Sequence, residues 1–140
     1  MADLDVTLDT DVLDRILAQE PGKVDSWLDG FAEEMVTNIK LSFGSSPPGL
    51  SYTRGSVTHV ASQPDNPPNV DTGALRASIR WERTGKHERT IMAGTEYAEF
   101  LENGAEDVGL LPRPYMGPEF ADAQRRIEGD ARQKLGLDDV

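Results

Sequence analysis

The stretch 68-PNVDTGALRASI-79 lies where the chain changes character. Upstream, 44-GSSPPGLSYTRGSVTHVASQPDNPPN-69 holds five of the nine prolines, a density that argues against a long helix and a central strand alike. Only residues 56–61, with Val57 and Val60, offer a short strand there. A structureless loop this long is functional or orders against a partner, so the segment is expected to act as an arm. Within the quoted stretch, Asp71 or Thr72 can N-cap a short helical turn through Ala74 to Ala77, with the prolines stiffening the approach. Gly73 is small enough to let another backbone come close. From Ile79 the period becomes two: Ile79 and Trp81 point one way, Arg80 and Glu82 the other. Thr84-Gly85-Lys86 can turn the chain and residues 89–94 can return it, completing a hairpin.

Helices are expected on both sides of this centre. In residues 10–19, Val12, Leu13, Ile16 and Leu17 share one helical face, and Pro21-Gly22 breaks the run. In residues 23–43, Val24, Trp27, Leu28, Phe31, Met35, Ile39 and Phe43 recur every three or four positions, and Gly44 suits a left-handed C-terminal cap. Tyr97, Phe100 and Leu101 mark a short helix over residues 96–103 that ends at Gly104. The last helix opens near Pro118, carries the stripe Phe120, Ile127, Ala131 and Leu135, and has Glu119 and Asp122 near its positive end. Arg132 and Lys134 lie near its negative end. The expected class is α+β: N-terminal helices and a C-terminal helix packed on a small, mainly antiparallel sheet, with a long proline-rich loop. One domain is expected over residues 1–140, helical in 1–43, an arm in 44–70, and hairpin, short helix and final helix in 71–140.

Charge excludes some functions. The net charge is −11, spread unevenly: −8 over residues 1–34, +1 over 35–100 and −4 over 101–140. Such a chain is repelled by free DNA at long range, because affinity for the phosphate backbone comes mainly from cations that displace its counterions. There is no cysteine, hence no disulfide or thiolate metal site. No apolar run reaches the roughly 18 residues of a membrane span, and the N-terminus lacks the features of a secretory signal. The expectation is a soluble protein, cytoplasmic when made, with no membrane partner.

Asp71-Thr72-Gly73 also spells the loop that carries the catalytic carboxylate in aspartic proteases of the retroviral kind. Such a loop ends a buried apolar strand, so that two copies share a proton. Here Pro67-Pro68-Asn69-Val70 precedes it, Arg76 follows it, and no later apolar-Gly-Arg element completes the pattern. The remaining chemistry is thin. His59 and His87 have no second ligand at helical spacing. Glu99 and Glu102 read as a solvated helix face rather than paired catalytic carboxylates. Arg76, Arg80, Arg83, Lys86 and Arg89 form a basic patch, interleaved with Glu82 and Glu88, suited to acidic surface on this chain or a neighbour. Trp27 and Phe31 read as core. No catalytic residue, cofactor site or metal site is assigned.

Three motifs taken in order carry a resemblance: Pro67-Pro68-x-x-Asp71-Thr72-Gly73-x-Leu75-Arg76-x-Ser78-Ile79, then Tyr97-Ala98-x-x-x-Glu102-x-Gly104, then Arg113-Pro114-Tyr115-x-x-Pro118. The set resembles the neck, or tail-completion, proteins of long-tailed bacteriophages and prophages, a family similar to the minor tail protein Z group. Upstream, Ser51-Tyr52-x-Arg54 and His59-Val60-Ala61-Ser62-x-Pro64 are similar to that family's approach to the turn. The chain departs from the family in Asn103 and Ala105, where Phe and Thr are usual, and in Tyr115, where Phe is usual. The resemblance implies a structural virion protein of the head-to-tail interface, found in the host cytoplasm during assembly. It implies partners: further copies in a six-fold ring, other neck or connector proteins, and the tail terminator or tail tube protein. DNA would pass through the channel without being read, sliding past an acidic terminal surface. A tail terminator ring capping the tube is the alternative within virion structure, and an aspartic protease using Asp71 is the rival of another class.

Overall fold

The computed structural model describes residues 4–8, 10–44, 48–54, 57–62 and 73–136. Helix α1 spans Thr10–Gln19, as the apolar spacing predicts, and α2 spans Pro21–Ser42. Pro21 therefore opens α2 instead of separating it from α1, because a helix's first turn needs no N–H there. Phe43 caps α2 through its N–H on the Lys40 carbonyl, and Gly44 follows at φ +84°, the left-handed turn expected of it.

Two clusters of buried side chains share α2. Val24, Trp27, Phe31 and Met35 pack against Ala123, Ile127 and Ala131 of α5 (Gly117–Lys134). Val36, Ile39 and Phe43 pack with Leu75, Ile79, Ala98, Tyr115 and Met116. Across the first cluster, Trp27 Nε1 donates to Asp130 at 2.8 Å, and the Arg126 guanidinium lies 5.2 Å over the Phe31 ring while pairing with Glu119.

The proline-rich segment holds more structure than its composition suggests. Strands β1 (Pro48–Arg54) and β2 (Val57–Ser62) pair antiparallel, with a register irregularity between Pro48 and Ser51. Only the second strand is foreseen from the sequence. Pro48 is the first residue of β1, where a missing N–H is tolerated, so proline bounds this hairpin without preventing it. Residues 63–72, including Asp71 and Thr72, lie outside the described residues.

Helix α3 (Ala74–Ser78) begins directly after Gly73, which sits at φ +82° in the N-cap position and supplies no side-chain cap. The N-cap therefore falls on Gly73, not on Asp71 or Thr72. Among the described residues no atom lies within 4 Å of a Cβ built on Gly73. The backbone angle, not the approach of another chain, requires glycine there.

Strands β3 (Arg80–Gly85) and β4 (Glu88–Met92) form the expected hairpin, with Trp81 opposite Ile91 and Arg83 opposite Arg89. Its basic residues fasten it to α2. The Arg89 side chain, only 4 % exposed, reaches Asp29 at 2.6 Å and Asp25 at 3.1 Å, while Arg83 makes a two-point contact with Asp29. Trp81 Nε1 donates to Glu33 at 2.6 Å. Thus Arg83 and Arg89 of the basic patch are used within the chain.

Residues 4–8 are extended rather than helical, which the sequence reading misses. Leu4, Val6 and Leu8 alternate onto the two clusters. Gln124 holds this strap by its backbone: the Thr7 N–H donates to Oε1 at 2.7 Å, and Nε2 donates to the Thr7 carbonyl at 2.9 Å.

The Arg83 hydrogen bond is the main cause holding the Asp29 carboxyl below its ordinary value of 3.8, and Arg89 adds to it. With a folded pKa lower than the unfolded one, the stabilisation is fully present above about pH 4 and is lost as pH falls through the folded value. Urea denaturation should show Asp29→Asn clearly less stable than the parent at neutral pH, with the gap closing below pH 3. Arg89→Met should cost roughly 2–3 kcal/mol at neutral pH, the range for charge-assisted hydrogen bonds.

Candidate assembly motif

Helix α4 spans Ala98–Asn103 and starts two residues later than its apolar spacing suggests, with Tyr97 as the N-cap residue. Ala98 and Leu101 turn into the second cluster; Tyr97 and Phe100 face outward. Gly104 ends α4 at φ +74°. A Cβ there would stand 2.8 Å from the Leu110 carbonyl oxygen and 3.0 Å from the Pro112 nitrogen. Both the backbone angle and the approach of the returning loop therefore demand glycine. The loop closes through paired backbone hydrogen bonds between Ala105 and Leu110, enclosing a single 3-10 turn at Glu106–Val108. The Arg113 N–H then donates to the Leu101 carbonyl at 2.6 Å, laying the loop along α4.

This path brings Glu102 to the start of α5. Its carboxylate accepts three backbone N–H groups, from Tyr115 at 2.7 Å, Met116 at 2.9 Å and Gly117 at 2.8 Å. The first turn of a helix has donors without intrahelical partners, and a negative charge there meets the positive end of the helix dipole. Met116, the N-cap residue of α5, offers no side-chain cap, and Pro118 has no N–H to satisfy. A residue of another helix thus does the capping. The reading of Glu102 as part of a solvated face is overturned, because its lone pairs are committed to the α5 backbone.

Tyr115 locks the same corner from inside. Its ring is buried, lies edge-on to Phe43 at 5.6 Å, and its hydroxyl donates to the Ala98 carbonyl at 2.8 Å. Burial, and then the nearby Glu102 charge, push its pKa far above the ordinary tyrosine value. The usual Phe of the resembling family could not make this hydrogen bond.

The structure thus brings Glu102, Gly104, Arg113, Pro114 and Tyr115 into one unit, with Tyr97 on its outer edge. Leu75 joins it through the second cluster. Ser78 turns back on α3, its hydroxyl donating to the Leu75 carbonyl at 2.7 Å, and Arg76 is exposed. Among the described residues, no group of His, Asp and Glu could hold a metal ion. A cavity of about 560 Å³ between the strap, α2, β4 and α5 is lined by none of the motif residues.

A family model described as "Bacteriophage HK97-gp10, putative tail-component" matches residues 23–104 of this chain. The chain belongs to this family. The match runs from α2 through both hairpins to Gly104, and so takes in Glu102 but not Arg113-Pro114-Tyr115 or α5. No curated protein and no solved structure matches the chain. The HK97-gp10-like protein is a structural tail component of a bacteriophage virion, and among its described residues no helix is long and apolar enough to cross a membrane.

Glu102→Ala strands three N–H groups and should destabilise the chain by roughly 2–3 kcal/mol in urea denaturation. Glu102→Gln, which keeps an acceptor oxygen, should recover part of that loss. Tyr115→Phe should cost about 1 kcal/mol, because the Ala98 carbonyl loses its side-chain donor.

Proposed function

We propose that this tail component acts at the head-to-tail interface, as one subunit of a ring around the channel through which DNA leaves. The observation that supports this is the Glu102 unit. Motif residues far apart in sequence converge on a closed, fully hydrogen-bonded corner that fixes a shape, with its central carboxylate held by backbone N–H groups. Ring building needs a rigid subunit that presents unlike patches to its two neighbours, and heterologous contacts that close by rotation. Acidic surface suits the channel role, since weak attraction to DNA lets the genome slide. The other partners of such a ring are connector proteins on the head side and the terminator or tube protein on the tail side. On this reading the motif serves assembly, and Asp71 is not a protease carboxylate.

Electron microscopy of particles made without this protein tests the reading. Filled heads and tails of normal length that fail to join are the expected result. Tails of runaway length would assign it instead to termination of the tube. Asp71→Asn should leave assembly intact, and loss of a proteolytic maturation step in that variant would return the protease reading.

A further inference from the structure

The four large apolar side chains most exposed among the described residues divide into two groups with opposite charge around them. Tyr97, Phe100 and Leu111, exposed by 44, 52 and 56 %, belong to the α4 corner. Tyr97 and Phe100 lie three residues apart on the outer face, and the hydrogen bond from Arg113 to Leu101 lays the segment carrying Leu111 alongside. Exposed acids surround them: Glu96 and Glu99 at the start of the helix, Glu106 and Asp107 in the turn beyond it.

The fourth, Leu41, is 65 % exposed near the end of α2. Its neighbour Lys40 and Arg76 of α3 bring positive charge to the same corner, because the adjacent residues Ile39 and Leu75 pack into one cluster. Neither cation has an ion-pair partner among the described residues, although Arg83, Arg89, Arg126 and Lys134 all do. In a chain of net charge −11, a cation without a partner beside an exposed leucine is the exception.

We propose that the acidic aromatic corner of one copy, Tyr97, Phe100 and Leu111 with Glu96 and Glu106, docks on the basic corner of a second copy, Lys40, Leu41 and Arg76. The inference rests on the ring reading above and deepens it by naming the contact between subunits. Apolar side chains at the centre with charges around them is the usual anatomy of a specific interface. The two patches are unlike, so the contact is head-to-tail and each copy keeps one patch of each kind for its next neighbour. The Glu102 unit then has a direct use, since it holds α4 and the Leu111 loop in the shape presented.

The test is light scattering over a range of concentrations on three full-length proteins: the parent, Lys40→Glu/Arg76→Glu and Glu96→Lys/Glu106→Lys. All substituted positions are on the surface, and circular dichroism checks that each variant is folded. The parent should assemble, and each variant alone should need at least tenfold higher concentration, because like charges would now meet. An equimolar mixture should recover assembly, since alternating copies restore opposite charges at every contact. If both variants assemble alone as the parent does, or if the mixture stays monomeric, this contact is wrong while the ring reading stands. A parent chain that stays monomeric both alone and with tail-tube protein overturns both.

Discussion

The carboxylate of Glu102, holding the N–H groups of Tyr115, Met116 and Gly117, is the interaction on which this arrangement depends. It fixes where α5 begins relative to α4, and α5 in turn supplies Ala123, Ile127 and Ala131 to the core it shares with α2. Proline at 118 and a hydrophobic residue at the N-cap leave the start of α5 without a local cap. A charged acceptor from elsewhere in the chain meets that need, at a helix end whose dipole favours it. Gly104 makes the geometry possible, because only a residue without a Cβ lets the returning loop pass so close to the end of α4.

Electrostatics organise the other side of α2. Arg89 is almost fully buried and would be costly alone, but Asp25 and Asp29 flank it and Arg83 completes the group. The strongly acidic N-terminal third and the basic hairpin are therefore largely complements within one subunit. What remains unsatisfied is informative: the cations near the end of α2 and on α3, and the acids around α4. That residue of charge, together with the exposed apolar side chains, distinguishes surface built for a neighbour from surface built for water.

Local signals made much of this legible in the sequence. The apolar period placed α1, and gave α2 its buried face, because Val24, Phe31, Met35 and Ile39 repeat over many turns. Gly44 and the period-two run from Ile79 were read correctly for the same reason: the information sits within a few residues. Interactions between backbone and a distant side chain were not legible. Glu102 looked like a solvated acid because its partners are main-chain groups thirteen to fifteen residues away, which no residue type advertises. Gln124 likewise reads the backbone of Thr7, so neither residue marks the strap, although the alternation of Leu4, Val6 and Leu8 was a usable sign. Strand β1 was hidden because proline density was taken to exclude strands, whereas Pro48 stands at a strand's first position.

A tail component with this build presents its neighbours with a corner whose shape is set by hydrogen bonds inside one subunit. The most direct test of that claim is native-state hydrogen exchange at the amides of Tyr115, Met116 and Gly117. These lie at a helix start, where backbone donors ordinarily exchange fast because water is their partner. Protection close to that of the buried turns of α2 is the result the Glu102 cap predicts. Exchange at the rate of an exposed, uncapped helix end would contradict it and with it the view of the motif as a fixed corner for assembly.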